Sequence, residues 1–164
     1  MILFQLALIA ATFLCTLVAG FLFAFAVVVM PGIKQLGDAE YLRAFQVMDR
    51  IIQDNQPLFL TVWVGSAVAL FAAAVIGPQD SGSGDRMVLI AALVMYLAGV
   101  QLPTITINIP LNNKLQALDI ANLAGPQLRA ARADFESRWN RWNVRRTCVS
   151  CAVSLVLIIF VSLR

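Results

Sequence analysis

Residues 2–30 read ILFQLALIAATFLCTLVAGFLFAFAVVVM, and no charged residue occurs before Lys34. A helix rising about 1.5 Å per residue crosses a hydrocarbon core of about 30 Å in about 20 residues, so this run is more than long enough for one span. It is apolar all round rather than on one stripe, which suits lipid better than a water-facing surface. It also lacks the alternation that a membrane β-strand would need. There is no positive leader, and the run exceeds a signal-peptide core, so it is read as a retained span.

Three similar runs follow: Pro57 to Gly77, Met87 to Leu111, and Thr147 to Leu163. The expected fold class is all-α, a polytopic membrane four-helix bundle forming a single integral membrane domain over residues 1–164. Composition agrees, with 60% hydrophobic and 13% charged residues, against about 45–50% and about 25% in soluble domains. The balance excludes intrinsic disorder and leaves too little polar surface for an ordinary soluble globule.

The connections have different characters. In the first, Lys34 to Gln56, Tyr41, Phe45, Met48 and Ile52 recur at helical spacing and predict an amphipathic helix against the bundle. Asn55-Gln56-Pro57 marks the break into the second span. The second connection, PQDSGSGDR (78–86), reads as a short flexible linker. In the third, LNNKLQALDIANL (111–123) reads as a helical continuation of span three. Gly125-Pro126 interrupts it, and Gln127 to Leu163 reads as one long helix projecting from the membrane.

Ten of the 12 Lys and Arg residues fall in the first and third connections, leaving Arg86 and Arg164 on the other side. By the positive-inside rule those connections are cytoplasmic and both termini are outside. The localisation expected is a bacterial inner membrane. The basic residues cluster beside spans, and no nucleic-acid motif is present, so the net charge of +3 implies topology and no nucleic-acid partner.

The chain contains no histidine. That removes bis-histidine haem, histidine-ligated zinc or copper, the histidine-containing iron triad, and Ser–His or Cys–His dyads. Two polar clusters remain. QLPTITINIPLNNKL (101–115) carries Gln101, Thr104, Thr106 and Asn108 among apolar residues and prolines. Unpaired amides are costly in lipid, so these groups should face the bundle, either as helix–helix ties or as a polar pocket. RWNRWNVRRT (138–147) places Trp139, Asn143 and Arg146 at i, i+4 and i+7, on one helical face. Interfacial anchoring explains Trp142, Arg141 and Arg145. An aromatic plate, an amide and a cation on one face could instead hold a planar, partly anionic organic ligand.

Cys148 and Cys151 form a C-x-x-C at the start of span four, and Cys15 lies in span one. This spacing can signal redox chemistry, but a second pair is lacking, and small packing residues are the commoner use. Asp49, Asp119 and Glu136 sit on the cytoplasmic extensions and could approach the mouth of a pocket, although a solvated face is the ordinary reading of each.

VVMPGIKQL (28–36), YLRAFQVMDRII (41–52), IPLNNKL (109–115) and RWNRWNVRRT together resemble the small four-helix membrane family that includes the fungal anthrone oxygenases. Pro110, Asn112 and Leu115 fall on one family pattern, and Trp139, Asn143 and Arg146 on another. The resemblance implies oxidation of an activated aromatic methylene to a carbonyl by molecular oxygen, with no metal, flavin or other cofactor. It is similar in fold over nearly the whole chain, and shared fold alone does not transfer a reaction.

Two readings stay open, with a third behind them. In the first, the chain is an enzyme whose catalytic residues are Arg146, Asn143 and Asn112, with Trp139, Asn108 and Gln101 binding substrate. Its partners would be the lipid bilayer and a hydrophobic aromatic small molecule. In the second, the same polar residues tie the extensions of a non-catalytic scaffold or partner subunit. An enzyme needs a cavity of roughly 300 Å³ or more, whereas a purely structural network should leave none. The third is a quinone-linked thiol oxidoreductase built on Cys148 and Cys151. No oligomeric state follows from these residues.

Overall fold

The computed structural model describes residues 2–77 and 83–163, and among these it is helical with no strand. The helices are α1 (Ile2–Ile33), α2 (Asp38–Gln53), α3 (Pro57–Ile76), α4 (Gly84–Gln116) and α5 (Gly125–Ser162). All but α2 are long and apolar enough to cross a membrane, and the chain is an integral membrane protein. The linker-like stretch at 78–82 lies outside the described residues, and α4 begins slightly before the expected Met87.

The spans pack through narrow stripes. On α1, Leu8, Ala11, Cys15, Val18 and Leu22 are buried at alternating spacings of three and four, while Leu6, Ile9, Phe13 and Leu17 are exposed. That is the seam of a helix with one protein-facing side and a lipid-facing remainder. α1 lies against α3 and α5, and α4 closes the ring against the same two. Gly99 lets α4 approach α5 closely, since a Cβ there would stand 2.7 Å from Val149 Cγ1.

A second core sits at the end where the connections gather. It joins Met30, Tyr41, Leu42, Phe45, Leu111, Leu115, Ile120, Phe135 and Trp139. Here α2 lies across the ends of α4 and α5. Glu40 Oε2 accepts from Gly37 N at 3.2 Å, and Asp38 and Glu40 suit the positive end of the helix. Arg132 of α5 fastens the preceding turn by donating to the carbonyls of Lys34 (2.7 Å) and Leu36 (2.9 Å) and to Asp38 (3.1 Å).

The expected continuation of α4 through residue 123 does not form. The helix ends at Gln116, and a single 3₁₀ turn, Ile120–Asn122, brings Ile120 into the second core. Gln46 Nε2 donates to Leu115 O (2.9 Å) and Leu118 O (3.0 Å), which satisfies carbonyls that a helix end would leave bare. The long helix expected from Gln127 does form, starting at Gly125 with Pro126 in its first turn. There Gln127 Oε1 reaches back to accept from Ala124 N at 2.8 Å.

Three π turns interrupt the spans, at Phe25–Val29 on α1 and at Leu97–Gln101 and Thr104–Asn108 on α4. A π turn uses more residues than an α turn and so rotates the side chains beyond it. Two of the three, Phe25–Val29 and Thr104–Asn108, contribute residues to the cavity described next.

Candidate functional site

A cavity of about 280 Å³ lies between the two cores, where the ends of α1, α2 and α4 meet the starts of α3 and the membrane part of α5. Much of its wall is aromatic. Phe21 and Phe25 come from α1, Phe45 from α2, Phe59 and Trp63 from α3, and Trp139 from α5. Phe59 and Trp63 stack with centroids 5.5 Å apart, and Phe21 meets Phe59 edge-on at 5.2 Å. Such a lining favours a flat apolar guest.

The polar part of the wall is concentrated around Arg146, which is 4% exposed. Its Nη1 donates to Thr104 Oγ1 at 2.8 Å and its Nη2 to Asn143 Oδ1 at 3.1 Å. Asn143 in turn donates to Leu22 O at 3.2 Å, a carbonyl just ahead of the π turn of α1. Arg146 Nε has no hydrogen-bond partner, and neither end of the buried Asn108 amide has one. Among the described residues no carboxylate pairs with Arg146. A buried, uncompensated cation is costly, and this one shares a cavity wall with an unpartnered amide.

The second polar group begins at Trp139. Its Nε1 donates to Asn112 Oδ1 at 2.8 Å, and Asn112 Nδ2 donates to Asp49 Oδ1 at 2.7 Å. Asp49 Oδ2 accepts from Gln53 at 2.6 Å and from Gln116 at 3.0 Å. Asp49 is 4% exposed. Burial pushes its carboxyl above the ordinary carboxylate range, and the three amide donors oppose that shift. The Trp139 ring is wedged against Phe45 at 5.2 Å and Phe25 at 5.9 Å, with the Arg146 guanidinium carbon 5.9 Å from its centroid.

Five of the six residues singled out from the sequence therefore line one cavity: Trp139, Asn143, Arg146, Asn108 and Asn112. The shared face of Trp139, Asn143 and Arg146 is as the spacing requires, with Trp142 and Arg145 turned elsewhere and stacked on each other at 4.8 Å. Gln101 is not among the lining residues and stands beside Tyr96 instead. Thr106 is exposed and donates to Leu102 O on its own helix at 2.8 Å, so it does not face the bundle as expected. Asn112 has both amide ends committed to protein partners. Cys148 and Cys151 are free and exposed, and neither lines the cavity.

Asp49 lines the cavity, the less ordinary of the two readings that its sequence position allows. The ordinary solvated reading holds for Asp119, which is exposed and accepts from Asn122, but not for Asp49, which is buried, nor for Glu136, which is half-buried against Arg132. The signal was present, because Asp49 follows Phe45 by four positions on the apolar stripe of α2.

The family model for anthrone oxygenase matches residues 45–156, more than half of the 164-residue chain. The chain belongs to the anthrone oxygenase family. No curated protein and no solved structure matches it. The stretch matched to the family runs from Phe45 through Arg146 and beyond, so it takes in the whole polar lining, while Phe21 and Phe25 lie ahead of it.

Proposed function

We infer that the protein is a cofactor-independent oxygenase acting on a hydrophobic aromatic or quinol-like substrate that enters from the bilayer. The observation that carries this reading is the buried Arg146 Nε together with the Asn108 amide, both without a partner in the chain and both on an aromatic-walled cavity. Their chemical complement is an oxygenated aromatic molecule, with a carbonyl or phenolate oxygen toward the guanidinium. Membership of the anthrone oxygenase family supports the same class of substrate.

Arg146 would hold the oxygen on which negative charge grows as the substrate becomes an enolate or phenolate. A fixed donor at that point is worth a few kcal/mol because it needs no reorganisation. Asn143 would keep the guanidinium in place through Nη2, and Trp139 would offer its ring as a plate. Asn112, with both ends committed, would position Trp139 and its other partner rather than touch substrate. An electron-rich anion of this kind can reduce molecular oxygen directly, without metal or flavin.

A cavity of about 280 Å³ is close to the roughly 300 Å³ at which small-molecule sites begin, and it speaks against a network that only ties helices together. The positive-inside asymmetry further supports a cavity near the cytoplasmic face with both termini outside. A C-terminal reporter active only in the cytoplasm would overturn that orientation.

Oxygen uptake by the purified protein in nanodiscs, offered a panel of anthrones and hydroquinones, tests the main reading. Uptake by the wild type that falls at least about 100-fold in Arg146→Ala is the expected result. No uptake from any member of the panel by a folded wild-type protein would favour the scaffold reading.

A further inference from the structure

Asp49 is a buried carboxylate on the cavity wall that the roles above leave unused. We propose that Asp49 is the general base of the reaction, removing the proton from the activated C–H of the bound aromatic substrate. The proposal rests on the oxygenase reading and adds to it the acid–base group that a histidine-free chain must find elsewhere.

Three features of the site argue for this role. An ionised carboxylate has about four acceptor positions. Protein amides take three of them: Asn112 on Oδ1, and Gln53 and Gln116 on Oδ2. Oδ1 therefore keeps one acceptor position toward which no described residue donates. All three donors are neutral amides, so the anion is oriented without the paired cation that would depress its basicity. Finally, Asp49 and Arg146 are the two ionisable side chains among the residues lining the cavity. The arrangement offers a base to a C–H and a cation to the charge that its removal creates.

Of the other charged groups on the elements packed against α2, Arg129, Arg138, Arg141 and Arg145 of α5 do not line the cavity, and others are engaged with partners of their own. Lys114 of α4 pairs with Asp134 of α5, Arg132 of α5 pairs with Asp38 and Glu136 beside Tyr41, and Asp119 accepts from Asn122. Arg146 is the other charge on the cavity wall, and it makes no ion pair with Asp49.

The chemistry balances with molecular oxygen as the only co-reactant. Asp49 takes one methylene proton, and the C–H electron pair stays on the substrate as an enolate beside Arg146. One electron passes to oxygen, and the resulting superoxide and substrate radical join in a C–O bond. The peroxide anion takes back the proton from Asp49. The carboxylate then removes the second methylene proton, whose C–H pair forms the C=O bond as the O–O bond breaks. The departing hydroxide leaves as water with that proton. One oxygen atom ends in the ketone and one in water, and the carboxylate is regenerated.

The first half of this sequence can be observed alone. Under anaerobic conditions the full-length protein in nanodiscs, given anthrone in deuterated buffer, should exchange the methylene hydrogens faster than buffer does. Asp49→Asn should bind anthrone, as read by tryptophan fluorescence, yet lose enzyme-dependent exchange by about 100-fold or more. A folded Asp49→Asn protein that exchanges like wild type would overturn the base assignment and leave the oxygenase reading standing if oxygen uptake persists. A wild type that neither exchanges nor consumes oxygen would overturn both. Should Asp49→Asn fail to fold, Gln116→Leu is the second variant. Gln116 does not line the cavity but donates to the anion, so its loss should move the rising limb of the exchange–pH profile to higher pH. A limb that stays in place would count against Asp49.

Discussion

Two polar clusters sit inside this apolar bundle, and they are built to opposite ends. In one, Ser66 and Tyr96 share a hydrogen bond of 2.7 Å between α3 and α4, with Cys15 of α1 against the Ser66 carbonyl and Gln101 beside Tyr96. None of these four side chains lines the cavity. In the other, Arg146, Asn143, Thr104 and Asn108 line the cavity, and Arg146 Nε and both ends of the Asn108 amide are left over; Gln101 Nε2 of the first cluster is also unpartnered, but its residue lies away from the cavity. Polarity inside a membrane protein therefore does not by itself mark a site. Unspent hydrogen-bonding capacity on the wall of a cavity does, because there a guest can satisfy it.

Substituting one bridge in each cluster should break this comparison if it is wrong. Asn143→Leu strips a partner from both Arg146 Nη2 and Leu22 O. We expect turnover to fall about 100-fold and stability to drop by roughly 1–3 kcal/mol, the cost of leaving buried groups unpaired. Ser66→Ala should cost about 1 kcal/mol in a detergent melt and leave turnover per folded molecule unchanged. If Ser66→Ala also lowered turnover, the two clusters would not be functionally distinct.

Packing between α4 and α5 offers a probe that touches neither cluster. A side chain at Gly99 would collide with Val149, and overpacking of this kind costs roughly 1–3 kcal/mol. Gly99→Val should lower the melting temperature, and Gly99→Val/Val149→Ala should recover most of the loss. Absence of recovery would mean that the helices separate rather than clash.

The spans were legible because charge-free runs of this length have few other uses. The common face of Trp139, Asn143 and Arg146 was legible because α5 is a regular helix there. Where local rules gave way, a distant contact or an irregular turn was responsible. α4 stops at Gln116 because Gln46, about 70 positions earlier in the chain, supplies the cap. Gln101 and Asn108 parted company because a π turn lies between them and rotates Asn108 relative to Gln101. Asp49 was partly hidden by its type, since a lone acid on an amphipathic helix usually faces water. Its three amide partners come from α2 and α4 together, a grouping that only the fold creates.

A smaller effect should follow from Trp139→Phe. The ring contacts with Phe45 and Phe25 can persist, while the Nε1 donation to Asn112 is lost. Asn112 would then be freer to turn away from Asp49. We expect turnover to fall by about 10-fold or less, in line with about 1 kcal/mol for one hydrogen bond, with little change in substrate affinity. A loss as large as that of Asn143→Leu would move Trp139 from positioning toward direct participation.

The weakest expected signal comes from pH, and it sharpens the contrast between the two clusters because a buried carboxylate, Asp49, shares the cavity wall with only one of them. Burial raises the Asp49 carboxyl above its ordinary value, so the folded state binds that proton more tightly than the unfolded chain does. The stability linked to this proton is fully present below the ordinary carboxylate pKa of about 4. It is lost as pH rises through the higher folded value. Wild-type melting temperature should therefore fall, by a few degrees, relative to Asp49→Asn across that window, and the difference should level off above it. Base activity needs the opposite protonation state, so turnover should rise over the same interval in which stability declines. A stability difference that increased with pH would show instead that the three amides outweigh burial and hold the carboxylate ionised.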